Sequence, residues 1–287
     1  TAPKSALIVS ASSDIGLALS RHWLTARWHV TGTYRSERPD VAALRDIGAT
    51  LAHCDLSDPK SIDAFARDAA STTPRWDVLA LLPGDLAPVG PFASCDADEW
   101  DESIYINFTG QLRLLRHLLP HRNLEVAAAP TVLFFAGGGA NGAPVNYSAY
   151  TVSKIALTKM CELLDAEISD TKFVILGPGW VDTKIHQTTL EAGARAGDNL
   201  ARTQEAYDTQ RFTPPMILGK TPVSAKPCVP TPTFTNFAAM VTTPTCRLES
   251  AVTHSKSRDI VNNPQKTEID AETEILAAMI KALPALR

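Results

Sequence analysis

The sequence predicts a doubly wound α/β domain, a parallel sheet covered on both faces by helices. Three observations predict it. Short apolar runs beginning at Ala6, His29, Thr50, Trp76, Thr131 and Lys172 alternate with stretches of helical periodicity. Runs such as Ala6 to Val9 are apolar throughout rather than at every second position, as in strands buried on both faces. Small, polar, Gly- or Pro-containing residues follow these runs, so the carboxyl ends of the strands, where such sheets bind ligands, carry the unusual residues.

Taken in order, Ala6 to Val9 is the first strand and runs into Ser10-Ala-Ser-Ser-Asp-Ile-Gly16, which opens a helix through Leu17, Leu19 and Trp23. Free amides and the helix dipole at such a turn hold a diphosphate; the same residues also read as an ordinary capped helix start, for which Ser12, Ser13 or Asp14 serves. The second strand, His29 to Tyr34, ends at Arg35. In a dinucleotide fold a basic residue here pairs with a 2'-phosphate, which favours NADP(H) over NAD(H); the other reading is a solvated loop charge.

A helix over Asp40 to Ile47 precedes the third strand, Thr50 to His53. Asp55 and Leu56 follow, with Asp55 free to meet a ligand, and Asp58-Pro59 starts the next helix. The fourth strand, Trp76 to Leu82, breaks at Pro83-Gly84. Asp96 to Leu119 reads as one long helix, with Trp100, Ile104, Phe108, Leu112, Leu115 and Leu119 on its apolar face. Asn107, a mediocre helix former, falls in the middle, where it bends the backbone, binds water or faces solvent. The fifth strand, Thr131 to Phe135, enters Ala136-Gly137-Gly138-Gly139. A helix to Ile168 and a sixth strand, Lys172 to Leu176, lead to Gly177-Pro178-Gly179.

Regular alternation stops after Thr183. Lys184 to Tyr207 reads as polar helix and Thr213 to Thr245, rich in Pro and Thr, as irregular loop; an irregular stretch this long inside a domain is more often a lid than filler. Glu249 to His254 is a candidate last strand and Asp270 to Leu283 a terminal amphipathic helix. The expected organisation is one domain over 1–287: a core over 1–183, a lid over 184–263 and a helix over 264–287.

Bulk properties exclude several classes. A net charge of -4 gives no general attraction to nucleic acid or to an anionic membrane, and no apolar run reaches the length of a span. The five cysteines, Cys54, Cys95, Cys161, Cys228 and Cys246, are scattered without C-x-x-C spacing, which argues against structural zinc or a disulfide framework; no metal site is expected. A cytoplasmic, soluble protein is the expectation. The remaining partner is a small molecule.

Tyr150 and Lys154, four apart on a predicted helix, share one face. An ammonium near a phenol lowers the tyrosine pKa toward the range of a general acid/base.

These stretches together resemble the classical short-chain dehydrogenase/reductase family over roughly residues 5 to 183. The likeness rests on Tyr150-x-x-x-Lys154, the turn ending Ile15-Gly16, Asp55-Leu56, Asn107 and Pro178-Gly179-Trp-Val181-Asp-Thr183. The resemblance implies a Rossmann-like fold, three layers deep, and hydride transfer between a nicotinamide and a carbonyl or secondary alcohol of a small polar substrate. Tyr150 would move the proton, Lys154 hold the nicotinamide ribose, and Asn107 anchor a relay water. The turn from Ser10 through Ser12, Ser13, Asp14, Ile15 and Gly16, with Arg35, Asp55, Leu56 and Gly84, would hold the rest of the cofactor, NADP(H) or else NAD(H), and Pro178, Gly179, Val181 and Thr183 would line the nicotinamide. It also implies a homodimer or homotetramer through the helices at 96 to 119 and 148 to 168.

Departures from the family pattern are specific. In T-G-x-x-x-G-x-G, two glycines become Ser10 and Asp14, and an aspartate beside a diphosphate is unfavourable unless its side chain turns away to cap the helix. N-N-A-G is reduced to Leu81-Leu82-Pro83-Gly84. The family's catalytic serine, thirteen residues before the tyrosine, falls on Gly137. Losing one such donor typically costs about 100- to 1000-fold in rate. Backbone amides of 137–139, or Asn141, Asn146 or Ser148, are the candidate replacements. Lys184, His186, Arg195 and Arg202 favour an anionic substrate or are solvated helix charges. Two other functions stay open: a nucleotide-binding sensor or partner subunit with weakened chemistry, and a nucleotide-sugar epimerase or dehydratase.

Overall fold

The computed structural model describes residues 3–72, 75–125, 128–137 and 143–212. Its six strands are β1 (Ser5–Val9), β2 (His29–Tyr34), β3 (Thr50–His53), β4 (Val78–Leu81), β5 (Thr131–Phe135) and β6 (Lys172–Leu176). They form one parallel sheet in the order β3-β2-β1-β4-β5-β6, with Leu7 opposite Thr31 on one side and Leu79 on the other. The order reverses at β1. That reversal opens the crevice at the carboxyl ends of β1 and β4 in which doubly wound sheets bind their ligands.

The helices are α1 (Asp14–Thr25), α2 (Pro39–Asp46), α3 (Pro59–Thr72), α4 (Ala97–Ile104), α5 (Gly110–Leu118), α6 (Ser148–Glu167), α7 (Ile185–Ala192) and α8 (Asp198–Asp208). Because successive strand residues point to opposite faces, each strand feeds two cores. Ala6, Ile8, Ala80, Leu133 and Val174 pack with Leu19 and Trp23 of α1 and Leu44 of α2. Leu7, Val9, Leu79, Phe134 and Phe173 pack with Ile62 and Phe65 of α3, Leu114 of α5, and Leu157 and Cys161 of α6. Each large side chain so buried contributes roughly 1.5–3 kcal/mol, so the sheet is a rigid floor for what its edge presents.

The bounds of β2, β3, β5 and β6 are those expected; β4 is shorter, with Trp76 held outside it by an isolated bridge to Arg122. The expected continuous helix over 96–119 is instead α4 and α5 joined by a π turn, Tyr105–Thr109. Gly110 is packed so closely there that a Cβ would lie 2.9 Å from the carbonyl oxygens of both Leu56 and Tyr105. The polar segment after Thr183 is helical as expected, broken between α7 and α8 by a 3-10 turn, Gly193–Ala196. Its Ala192 and Ala196 pack with Leu86, Val89 and Tyr147 in a third apolar cluster.

The expectations for 213–287, including the last strand, the terminal helix, Cys228 and Cys246, lie outside the described residues. Among the described residues the free cysteines are Cys54, Cys95 and Cys161, no helix is long and apolar enough to cross a membrane, and no group of three or more His, Cys, Asp or Glu could hold a metal ion.

Candidate active site

The site is assembled from the strand ends and one helix. Leu157, Cys161 and Leu164 bury one face of α6 against the sheet. The preceding turn of that helix carries Tyr150 and Lys154 to the crevice. The Lys154 Nζ donates to the Pro83 carbonyl at 3.0 Å and lies 5.7 Å from the centroid of the Tyr150 ring. Burial lowers the lysine to about 8. It raises the tyrosine to about 12, which corrects the expectation of a lowered phenol. The ammonium stands over the ring, so the loss of water around the hydroxyl outweighs it.

Gly137 explains where the phenol goes. A Cβ built on it would lie 2.6 Å from Tyr150 Cε1, 2.7 Å from its hydroxyl oxygen and 2.8 Å from Lys154 Cγ. The volume a serine would take is filled by Tyr150 and Lys154 themselves. Two proposed replacements for that serine face elsewhere: Ser148 accepts from the Trp100 indole at 3.0 Å, and Asn146 donates to the Arg195 carbonyl at 2.9 Å. Asn141, Gly138 and Gly139 lie outside the described residues.

Behind the pair is a buried polar network. Asn107 is fully buried in the π turn; its Oδ1 accepts from the Asp85 amide at 2.8 Å, and its Nδ2 donates to the Asp85 carbonyl at 2.7 Å and to Ser103 Oγ at 3.2 Å. Asn107 therefore pins the loop after β4 rather than facing solvent. Gln111, also fully buried, donates its amide to the carbonyls of Asn107 at 2.8 Å, Ile106 at 3.3 Å and Pro83 at 3.4 Å. It thus shares the Pro83 carbonyl with Lys154 and also engages the Asn107 carbonyl. Sequence reading missed Gln111. Its signal was its position four residues after Asn107, on the same helical face.

The turn after β1 keeps its geometry despite two lost glycines. Ser10 itself takes the left-handed backbone, with φ +64. Gly16 stays because a Cβ there would lie 2.5 Å from the Ser10 carbonyl. Ser13 is the helix cap, accepting from the Gly16 amide at 3.1 Å. The amides of Ser12, Asp14 and Ile15 donate to no described residue. Three free N–H groups at a helix start form an anion cradle. Asp14 turns away from the cradle, as an aspartate there must, but to Lys184 rather than to the cap. It accepts from the Lys184 amide at 2.8 Å and pairs with its ammonium at 3.5 Å.

The other predicted residues lie along the same edge. Arg35 is exposed at the end of β2 with no ion pair among the described residues, whereas Arg38 pairs with Asp40 and Arg45 with Glu37. Asp55 is less free than expected, since its Oδ1 accepts from the amide and hydroxyl of Ser57, both at 2.9 Å, beside buried Leu56. Gly84 is exposed at the end of β4, within 3.6 Å of Ile185 for an added Cβ. After β6, Pro178 precedes Gly179 at φ +67, Val181 is buried, and the carbonyl of Thr183 accepts from the His186 amide at 3.1 Å. Trp180, between them, stacks on His186 at 5.4 Å, and His186 lies 4.6 Å from the Phe212 ring.

A parallel sheet of this order, with buried Lys154 beside partly buried Tyr150 at the crevice, defines a Rossmann-type fold. Residues 4–193 match the short chain dehydrogenase family, and the chain belongs to it. It is therefore a member of an oxidoreductase family. The fatty acyl-CoA reductase of Acinetobacter baylyi is 29% identical over 182 residues, and the alignment spans 60% of this chain and only 60% of that protein. The 1-deoxy-11-beta-hydroxypentalenate dehydrogenase of Streptomyces avermitilis is 26% identical over 214 residues, 72% of this chain and 79% of that one. Among solved structures, the KRED1-Pglu enzyme superposes with a TM-score of 0.67 at 23% identity, covering 75% of this chain and 90% of that one. A variant of actinorhodin polyketide ketoreductase with NADPH gives 0.64 at 23% identity, covering 75% and 86%. At these identities the structures speak for the fold.

Proposed function

We propose that the protein is an NADP(H)-dependent carbonyl reductase. The observation that carries this reading is the linked set of Tyr150, Lys154, Pro83, Asn107 and Gln111 at the end of β4, beside a turn with three free amides. That cradle fits a diphosphate, and unpaired Arg35 fits the 2'-phosphate that distinguishes NADP(H). Asp55 and Leu56 would meet the adenine, Gly84 the adjoining ribose, and Pro178, Gly179, Val181 and Thr183 the nicotinamide. Of the three ammonium donors of Lys154, one goes to Pro83, leaving two for ribose hydroxyls. The nicotinamide, when bound, supplies the hydride.

The rest is the chain's own chemistry. The Tyr150 hydroxyl, raised to about 12, is protonated at neutral pH and gives its proton to the carbonyl oxygen as that oxygen gains charge. The Lys154 ammonium then faces a phenolate it stabilises. A tyrosine held protonated suits reduction, whereas alcohol oxidation needs the phenolate. Lys184 and His186 are engaged with Asp14 and with the Trp180–Phe212 stack, which leaves Arg195 and Arg202 of the four basic residues; Leu86, Val89 and Ile185 cluster with Tyr150. We therefore favour a ketone or aldehyde on a largely apolar body over an anionic one. Free thiols at Cys54, Cys95 and Cys161 support a cytoplasmic setting.

The test is titration with NADPH and with NADH by nicotinamide fluorescence, on wild type and Arg35→Ala, followed by NADPH consumption with a series of aliphatic and aromatic ketones. NADPH binding lost in Arg35→Ala, with turnover of apolar ketones, supports the reading. Binding without turnover of any carbonyl would favour a nucleotide-binding sensor, the second reading that Gly137 motivates. We also propose a homodimer through α6. Val152, Ile155 and Leu163 stand on one face of that helix, 52%, 47% and 47% exposed. Light scattering of Ile155→Glu should then give a monomer; an unchanged mass removes α6 from the interface.

A further inference from the structure

Asp14 occupies the position where a negative charge is least welcome in a diphosphate turn, yet it is committed to a residue 170 positions away. Lys184 reaches it twice, through its backbone amide at 2.8 Å and its ammonium at 3.5 Å. The same ammonium stands 4.0 Å from Asp40, which pairs with Arg38 at 3.2 Å. Lys184 therefore bridges the first turns of α1 and α2, on either side of the end of β2. It is also the residue directly after Thr183 and the cap position of α7, so this contact fastens the root of the lid to the anion cradle.

The electrostatics are unequal on the two sides of this clasp. An uncompensated carboxylate at the first position of α1 lowers the affinity of the neighbouring amides for any anion, because both act on the same charge. A cation held against that carboxylate returns the turn to near neutrality and leaves the amides of Ser12, Asp14 and Ile15 to bind.

Resting on the dinucleotide reading, we propose that Lys184 is the positioning residue that makes Asp14 compatible with a bound diphosphate, and that Asp14 in return holds the lid root over the cofactor crevice. Lys184 works through Asp14, not as a separate diphosphate ligand. The pair thus does with two side chains what a glycine does by having none, and adds a tie between cofactor site and lid.

A double-mutant cycle tests this with two readouts: wild type, Asp14→Ala, Lys184→Met and the double variant. The first is NADPH affinity by nicotinamide fluorescence. Lys184→Met should weaken binding about fivefold, the upper range for a partly exposed pair, and the same change in the Asp14→Ala background should have no effect. An equal loss in both backgrounds, or no loss in either, overturns the proposal while leaving the dinucleotide reading intact. The second readout is hydrogen exchange of a peptide spanning 181–190 in the ligand-free proteins, which does not depend on cofactor. Asp14→Ala should speed exchange at the Lys184 amide by about tenfold, and unchanged exchange overturns the clasp. If none of the four proteins binds NADPH or NADH, the dinucleotide reading falls and the proposed charge compensation with it.

Discussion

The two ends of the crevice depart from their family pattern to a similar degree and survive the departure in different ways. At the proposed phosphate turn the working groups are backbone amides, so Ser10 and Asp14 in place of glycines leave the cradle standing; Ser10 takes the left-handed backbone, Asp14 is drawn off by Lys184, and the N–H groups of Ser12, Asp14 and Ile15 donate to no described residue. At the proposed catalytic wall the working groups are side chains. There neither Ser148 nor Asn146 stands in for a serine at Gly137, and the space is taken by Tyr150 and Lys154 themselves. Backbone function tolerates side-chain change so long as dihedrals and charge are restored. Side-chain function, once lost, alters what remains.

The sharpest way to break this contrast is to ask whether the wall still does chemistry. Tyr150→Phe removes the hydroxyl without removing the ring that fills the space over Gly137. Turnover should fall by about 100- to 10,000-fold, the range for a positioned general acid, with NADPH affinity unchanged because the proposed cradle binds through backbone amides and not through the phenol. Steady-state kinetics beside a fluorescence titration separates the two. Turnover that persists assigns the proton to another group and ends the reductase mechanism given above.

Next in size is Gly137→Ala. Contacts of 2.6–2.8 Å to Tyr150 and Lys154 oblige the pair to move, and overpacking of this kind costs about 1–3 kcal/mol. Denaturant unfolding should show the loss and turnover should drop with it. Full stability with lowered turnover would mean that the ring swings aside at little cost, so that the glycine serves the position of the phenol alone. Unchanged turnover would make Gly137 a passive gap.

How much of this was legible in the sequence depends on the distance between partners. The bounds of β2, β3, β5 and β6 were legible because each is a short run closed by polar or glycine-rich residues, and the Tyr150–Lys154 pair because its spacing is local. The π turn was not, since Trp100, Ile104, Phe108 and Leu112 keep a four-residue step straight through it. Gln111 reads as an ordinary polar helix residue until Pro83, 28 positions earlier, is brought beside it. The direction of the Tyr150 shift was misjudged for the same reason: spacing places an ammonium nearby, but only the packed structure says how little water reaches the phenol.

Gln111 and pH sharpen the wall's side of the comparison. Lys154 is lowered to about 8 from an ordinary 10.5. Between those values the unfolded chain holds a proton that the folded chain has released, so this group makes stability rise with pH across that window, and it contributes no slope below about 8. Catalysis runs the other way, because the ammonium is lost: kcat/KM for carbonyl reduction should fall above about pH 8. Gln111→Leu removes the hydrogen bonds its amide gives to the carbonyls of Asn107, Ile106 and Pro83, at about 1–3 kcal/mol of stability. It also removes the competitor for Pro83, which strengthens the bond from Lys154 and should move the alkaline limb upward. A stability loss with an unmoved limb would reduce Gln111 to a structural brace.

The smallest effect tests the turn's side. Ser10 holds φ +64, a region where a side chain is strained and glycine is not. Its amide donates to Thr33 Oγ1 at 3.0 Å, a bond that glycine retains. Ser10→Gly should therefore raise stability by roughly 0.5–1 kcal/mol, the gain in native strain being partly offset by the freer unfolded chain, and should leave NADPH affinity where it was. Thermal unfolding and the same fluorescence titration measure both. A fall in affinity would mean that the serine hydroxyl is itself a ligand, and the turn would then bind through a side chain after all, on the same footing as the wall opposite.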